Sequence, residues 1–422
     1  MEILDWIVLS TTLFFIVIYG ALKTKGSANV KDYLLDNNET PWFTVGVSVM
    51  ATQASAITFL STPGQAYHDG MGFVQFYFGL PLAMIVIAYT FIPIYHRLKV
   101  YTAYEYLEQR FNIQTRTLAA ILFLIQRGLG TGITIYAPSI ILSALLGWNL
   151  NMLNIIIGIL VIVYTVTGGT KAVNVTQKQQ MFVIMSGMFI IFFYILANLP
   201  QEVDLSNVLH IAGANGKMDI LDFSYNPETR YTFWSGITGG FFLMLSYFGT
   251  DQSQVGRYLS GKSVKESQMG LIMNGLLKVP MQFFILLTGV MVYVFFQFQS
   301  LPINFNPNSK ASVENSIYAG DYANLEKDLV TISAEKKEVT LAYATQLNID
   351  RENKVLKSRI IALNEKEKNI RDEAKVLIAK ANDKDKTSDA DYVFMHFIIN
   401  FLPKGMIGLL LAVSTLALLK IR

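Results

Sequence analysis

The stretch "SAITFLSTPGQAYHDG" runs from Ser55 to Gly70 and follows "VGVSVMATQA" directly, so one long and largely apolar segment carries Gln53, Ser55, Thr58, Ser61, Thr62, Pro63 and Gly64 in its interior. A segment apolar enough for a lipid environment has no ordinary use for so many polar and helix-loosening residues together. One or two Ser or Thr residues serve helix packing in membranes. A cluster of this kind marks backbone that leaves the helix, and such backbone survives at membrane depth only where it lines a cavity or binds an ion. Polar residues in mid-crossing are for that reason functional candidates.

The rest of the chain supports a membrane setting. Of 422 residues, 52% are hydrophobic and 15% charged, against about 25% charged in a typical soluble domain. Apolar runs with almost no charge recur at 6–19, 73–95, 118–146, 152–166, 182–199, 233–248, 279–298 and 406–419. A crossing helix needs about 20 residues, and with the Ser55 segment the runs make nine candidate crossings. "MEILDW" has neither a basic n-region nor a cleavage site, so the first helix is expected to be retained. There is no cysteine, which excludes disulfides and thiolate metal sites, and the four histidines are scattered. A net charge of +3 gives no reason to invoke nucleic acid. No phosphate loop, GxSxG, HExxH or intramembrane carboxylate pair is present, so an enzyme is not expected.

Basic residues set the expected orientation. Lys23, Lys25 and Lys31, then Arg97, Lys99, Arg110 and Arg116, then Lys171 and Lys178, then Arg257, Lys262 and Lys265 fall in alternate loops. These loops are expected in the cytoplasm, with the N-terminus outside and Lys420 and Arg422 inside a cell membrane. Residues 301–391 differ in being rich in Lys, Glu and Asp. Leu325, Leu329 and Ile332, then Leu356, Ile360, Leu363, Ile370 and Leu377 recur there at helical spacing. The pattern predicts two amphipathic helices, a hairpin in water on the outer side, over about 324–381. It either covers the mouth of the membrane part or packs on itself, with a partner coiled coil as the alternative. The expected organisation is a membrane core over 1–300, the insertion over 301–391 and a last helix over 392–422.

A second interrupted segment, "GGFFLMLSYFGTDQSQVGRYL", spans Gly239 to Leu259, apolar and then broken by Gly249 and Thr250 before Asp251, Gln252 and Gln254. Two interrupted segments in corresponding places point to an inverted-repeat transporter, the alternative being two simple kinks. Lys278, in "NGLLKVPMQFF", has two readings: snorkelling to the inner interface, or a charge facing an internal cavity.

Five stretches together resemble the sodium/solute symporter family. They are "SAITFLSTPGQAY" (55–67), "YTAYEYLEQRFN" (101–112), "TGITIYAPSIIL" (131–142), "VTGGTKAV" (166–173) and "YFGTDQSQVGRYL" (247–259), in family order and spacing. The pattern is most similar to the iodide, monocarboxylate and multivitamin branch. The resemblance implies an all-α polytopic fold of the leucine-transporter type, two inverted five-helix repeats preceded by one extra helix. It implies Na⁺-coupled symport of a small solute by alternating access, with Na⁺ and the solute as ligands and no other cofactor. The backbone carbonyls of Ala51 and Ala54 are then sodium ligands. Gln53, Thr58, Gln75, Tyr77 and Met244 line the solute pocket, Tyr247 is the inner gate, and Lys278 matches a family lysine on the seventh core helix.

Three departures refine these expectations. Gln177, in "NVTQKQQ", stands where the family commonly has an Asp on the sodium path, while Gln180 matches a family Gln. Tyr77, Leu80 and Met244 replace polar residues of the sugar carriers. A sugar needs many paired hydrogen bonds, so a small anionic or amphipathic organic solute is favoured. Finally, "KGMIGLLLAV" resembles the start of the eighth core helix, and the chain then reads "STLALLKIR". Ser414 and Thr415 come about one turn too early for the family's hydroxyl sodium ligands, so the second repeat is expected to be incomplete and the chain a fragment of a symporter. A membrane solute sensor and a non-transporting remnant are the alternatives.

Overall fold

A computed structural model describes residues 2–23, 30–54, 56–226, 228–349, 353–382 and 388–416. Among these every regular element is helical and none is a strand. In chain order the helices are α1 (Ile3–Lys23), α2 (Val30–Leu35), α3 (Trp42–Gln53), α4 (Ala56–Asp69), α5 (Gly79–Tyr89), α6 (Phe91–Leu98) and α7 (Ala103–Arg110). There follow α8 (Ile113–Leu146), α9 (Leu150–Ala197), α10 (Leu205–Ala214), α11 (Phe233–Ile237), α12 (Gly239–Thr250), α13 (Gln252–Leu259) and α14 (Val264–Phe296). The last are α15 (Pro307–Glu314), α16 (Ala319–Leu347), α17 (Lys354–Ala381), α18 (Ala390–Phe401) and α19 (Met406–Leu416). A 3₁₀ segment over Gly70–Tyr77 joins α4 to α5.

The segment around Ser55 is interrupted. Helix α3 stops at Gln53, and Ala54 leaves helical geometry (φ −84°, ψ 75°). Its N–H closes a tight turn on the Ala51 carbonyl at 3.0 Å, and α4 starts at Ala56. Ser55 itself lies outside the described residues. Pro63 and Gly64 sit inside α4 rather than at the break. A Cβ on Gly64 would overlap the Ala390 carbonyl at the start of α18, and one on Gly289 of α14 would overlap Pro63. Gly64 and Gly289 thus admit close neighbours, which is the use membrane helices make of small residues.

The second interruption is at Asp251. It ends α12 in an extended conformation (φ −72°, ψ 116°), and its side chain caps α13 by accepting from the Ser253 N–H. Between the two broken pairs runs α14, packed on α3, α4 and α5, while α5 packs on α12. This long central helix has most of its membrane-length window buried. It starts at Val264, well before the apolar run over 279–298. Lys278 therefore lies mid-helix, 1% exposed, and not at an interface to which it would snorkel.

One expectation is corrected. The sequence predicts two crossings over 152–166 and 182–199 joined by a loop with Lys171 and Lys178. The structure has a single unbroken helix, α9, of 48 residues. At 1.5 Å per residue it is about 72 Å long and reaches well beyond a hydrocarbon core of about 30 Å. The Gly168–Gly169 pair weakens a helix by about 1 kcal/mol per glycine without forbidding it, and no proline intervenes. In contrast, no residue of Ile113–Tyr136 in α8 is buried, although α8 packs on α7 and α9. Four helical stretches among the described residues are long and apolar enough to cross a membrane, in accord with a multi-pass protein.

The basic helix ends and the charged hairpin lie on different faces. Thr40 bridges to Gly261 and Asn38 donates to the Leu259 carbonyl at 2.7 Å. The ends of α2 and α13, with Lys262 and Lys265 nearby, thus share one face. On the opposite face α16 and α17 form the expected hairpin. Tyr322 and Leu329 pack with Ala374 and Ile378, with Leu325, Ile370 and Leu377 around them. The hairpin docks along α10, at both of its ends: Asn207 Nδ2 donates to Asn348 Oδ1 at 2.7 Å, and Asn364 donates to Asn215. Inside it Glu367 pairs with Lys336 and, at 2.9 Å, with Arg371. Near the other end of the chain, α19 packs on α1 and α9. The side chains of Ser414 and Thr415 and all of residues 417–422 lie outside the described residues, as do residues 24–29.

Candidate functional site

The two interruptions converge on one cavity of about 270 Å³, lined by Gln53, Tyr77, Leu243, Met244, Tyr247 and Lys278. Gln53 is the last residue of α3, at the first break. Tyr77 closes the 3₁₀ segment. On α12, Tyr247 comes four residues after Leu243 and three after Met244, the spacings that put helical side chains next to each other. Lys278 comes from α14. The structure thus brings together Gln53, Tyr77, Met244, Tyr247 and Lys278, while Leu243 was not expected.

The cavity has an apolar body and few polar heads. Among the described residues Lys278 Nζ makes no hydrogen bond, and it lies 5.8 Å from the centroid of the Tyr77 ring. The carboxamide oxygen of Gln53 is buried without a donor among those residues. Tyr247 also lines the wall, and its hydroxyl accepts from Gln254 Nε2 at 2.8 Å. A buried ammonium with only a ring face beside it is under-satisfied. Such a site favours an anion within reach of Lys278 and a donor group that meets the Gln53 oxygen.

The remaining sequence-derived residues are placed elsewhere. Thr58 Oγ1 donates to the Gln53 carbonyl at 3.3 Å, tying the start of α4 to the end of α3 across the break. Gln75 does not line the cavity. Its Nε2 donates to the carbonyls of Gly72 and Tyr231, each at 3.3 Å, and its Oε1 accepts from the Asp222 N–H at 2.9 Å. These bonds hold the loop between α10 and α11. Ala51 and Ala54 are fully buried at the break, where the chain leaves the regular helical pairing of its backbone groups.

Gln177 and Gln180 are buried on α9. Gln177 Oε1 accepts from Ser48 Oγ at 2.6 Å and its Nε2 donates to Thr52 Oγ1 at 3.2 Å. The carboxamide of Asn174 lies 2.7 Å from the same Ser48 hydroxyl. A neutral amide here ties α9 to the last turns of α3 beside the break, a contact that calls for both a donor and an acceptor. An ionised carboxylate has only the acceptor. Sequence reasoning missed Ser48, Thr52 and Asn174. Their signal is their spacing: Ser48 and Thr52 are four apart on one face of α3, and Asn174 and Gln177 are three apart on α9. Among the described residues no cluster of His, Asp or Glu is arranged to hold a metal ion, and the neutral oxygens at the break are donors of the type an alkali cation takes.

Comparison with known proteins agrees with this geometry. The sequence profile described as "Sodium:solute symporter family" matches residues 33–327. The human sodium-coupled monocarboxylate transporter 1 is 34% identical over 257 residues, 61% of this chain and 42% of that protein. The human sodium/iodide cotransporter is 31% identical over 259 residues, 61% of this chain and 40% of that protein. The rabbit sodium-dependent multivitamin transporter is 31% identical over 325 residues, 75% of this chain and 50% of that protein. The chain thus spans about half the length, or less, of these relatives, which are named as transporters and not as enzymes. A solved Na⁺-coupled sialic acid symporter, in a substrate-bound outward-open state, superposes with a TM-score of 0.70 at 22% identity, covering 99% of this chain and 70% of that one. The interrupted helices and their cavity, the five sequence stretches and the profile match lead to one assignment: the chain belongs to the sodium:solute symporter family.

Proposed function

We propose that the chain carries the ion- and solute-binding part of a Na⁺-coupled symporter, and that its cavity takes a small organic anion. The observation that carries this is Lys278: buried, without a hydrogen-bond partner among the described residues, on the wall of a cavity of about 270 Å³. A lone ammonium in an apolar chamber is costly unless a counter-charge joins it. A carboxylate supplies that charge, and Tyr77, Leu243 and Met244 supply an apolar seat for a short carbon chain. The names of relatives that carry monocarboxylates and iodide support an anionic cargo. Na⁺ is held by the carbonyls of Ala51 and Ala54 at the first break, close to Gln53 of the cavity wall, so that ion and solute stabilise the same arrangement of α3 and α4. The N-terminus is outside a cell membrane, and the hairpin of α16 and α17 lies outside in water.

The experiment is uptake of radiolabelled pyruvate into proteoliposomes with an imposed inward Na⁺ gradient. The expected result is Na⁺-dependent uptake that Lys278→Gln lowers at least tenfold, about 1.4 kcal/mol, and that Lys278→Arg partly restores. Equal uptake by wild type and Lys278→Gln overturns the assignment.

A further inference from the structure

Arg127 is the unexpected charge of this fold. It lies on α8, about 21 Å along the helix from Ile113 at 1.5 Å per residue, among residues none of which is buried in the helix's apolar window. An arginine within an apolar helix of crossing length is costly and marks function when it turns to a partner. Its partner is at the second interruption: Arg127 Nη1 lies 3.7 Å from Asp251 Oδ2. The other carboxylate oxygen, Oδ1, accepts from the Ser253 N–H at 2.8 Å and from the Ser253 hydroxyl. One oxygen of Asp251 therefore builds the start of α13, and the other faces Arg127.

Neighbouring contacts make this junction a clasp. Tyr104 of α7 donates its hydroxyl to the Thr250 carbonyl at 3.3 Å. Gln252 accepts from the Ala103 N–H at 2.9 Å and donates to the Tyr101 carbonyl at 3.1 Å. Tyr247, on the cavity wall, sits one turn before the break, and Gln254 holds its hydroxyl from one turn after. The wall of the cavity and the start of α13 are thus joined through residues on both sides of Asp251. These contacts to α7 are neutral, whereas the contact to α8 is an ion pair.

We propose that Arg127 and Asp251 form the charged latch of the inner gate. Together they hold the broken end of α12–α13 against α8 while the cavity is closed towards the basic face, and they part when that side opens. The proposal rests on reading the chain as an alternating-access carrier, though not on the identity of its solute. Within the low dielectric of the membrane the pair is strong when made, and each charge is poorly solvated when it is broken. That asymmetry suits a two-position gate. Arg127 acts here as a positioning residue; it does not line the cavity.

The test uses the absence of native cysteine. A single Met244→Cys reporter places a thiol on the cavity wall, and a membrane-impermeant methanethiosulfonate is added from the basic face without solute. In this background the latch is changed to Asp251→Asn, which keeps the Oδ1 cap but removes the charge, to Arg127→Gln, and to the exchange Arg127→Asp with Asp251→Arg. The expected result is slow labelling of the parent and labelling roughly tenfold faster in each single variant, the scale of one lost coupled pair. The exchange is expected to return labelling towards the parent rate. A Val313→Cys reporter, fully buried against the hairpin, stays protected from the reagent added at the other face in each folded variant. Unchanged labelling in both folded single variants overturns the latch. If the single variants label faster but the folded exchange does as well, the pairing is overturned too. Because no solute is present, a failure of the anion reading leaves this result intact, and the converse holds.

Discussion

Lys278 Nζ on α14 and the ring of Tyr77 at the end of the 3₁₀ segment lie 5.8 Å apart across the cavity wall, and among the described residues no hydrogen bond supplements that contact for the ammonium. A cation over an aromatic face gains about 2 kcal/mol or more when desolvated. That is far from what a buried charge loses on leaving water. The amine is therefore under-satisfied in the free site, and on the proposed reading a bound anion relieves it. Lys278→Met removes that burden, so in the absence of solute it is expected to raise the thermal unfolding temperature of the detergent-solubilised protein. A lowered temperature would mean that Lys278 is already satisfied in the free state.

Tyr247 lines the cavity with its hydroxyl held by Gln254, and on the proposed reading it is the inner gate. Tyr247→Ala opens the gate and is expected to shorten solute residence, read as faster efflux of preloaded labelled pyruvate from proteoliposomes. Tyr247→Phe keeps the ring but leaves the Gln254 amide without its partner, at a cost of about 1 kcal/mol, and is expected to give an intermediate rate. Efflux from Tyr247→Ala at the parent rate would remove Tyr247 from the gate.

Gln177 joins α9 to α3 through Ser48 and Thr52. Gln177→Ala leaves two hydroxyls of α3 without that partner and is expected to lower stability by about 1–2 kcal/mol in detergent-induced unfolding. Gln177→Glu retains an acceptor for Ser48 but cannot donate to Thr52 when ionised, so it is expected to recover only part of the loss. Full stability in Gln177→Ala would show the tie to be incidental.

Gly64 faces the Ala390 carbonyl where α18 starts. Gly64→Ala forces α4 and α18 apart and is expected to destabilise by about 1–3 kcal/mol, as overpacking does, although alanine is the better helix former by about 1 kcal/mol. Differential scanning fluorimetry reads the sign directly, and a stabilised Gly64→Ala variant would contradict the close approach.

In the hairpin, burial pushes the Glu367 carboxyl up, but Lys336 and Arg371 outweigh it and hold it at about 2, below the usual 4.5. A carboxyl whose folded value is depressed contributes stability above its unfolded value and loses it as pH falls. The contribution is full above pH 4.5 and is lost towards pH 2. Removing one partner of a buried pair costs about 3–5 kcal/mol. Glu367→Gln is thus expected to melt lower than wild type at pH 7, with the gap narrowing steadily below pH 4.5. A gap that stays constant with pH would mean the carboxylate is not held by these cations.

The polar cluster after Ser48 is enough to announce an interrupted helix, and the helical spacing of leucines and isoleucines among charged residues is enough to announce the hairpin. Placement within those elements is less legible. Pro63 and Gly64 carry the strongest break signals by residue type, yet the break falls at Ala54, because packing against α14 and α18 brings neighbours close to both residues. Gln75 carries a polar side chain at a pocket-like position, but the loop at Asp222 and Tyr231 consumes its hydrogen bonds. The two readings of Lys278 are separated by the start of α14 at Val264, a boundary that apolarity alone misses because the first turns are polar. Arg127 stands in the sequence as a charge within the apolar run over 118–146, but nothing there names its partner. Its partner is distant along the chain, and only the approach of α8 to the break of α12–α13 puts the two charges together.

The central claim is that the cavity charge selects an anion, and the most direct measurement compares two ligands of nearly the same shape that differ in charge. Binding of lactate and of lactamide to the purified protein in saturating Na⁺ is measured by titration calorimetry, for wild type and for Lys278→Gln. The account predicts that wild type binds lactate at least tenfold more tightly than lactamide, a difference of about 1.4 kcal/mol, and that Lys278→Gln abolishes the preference. Equal affinities for the two ligands in wild type, or an undiminished lactate preference in Lys278→Gln, would contradict it.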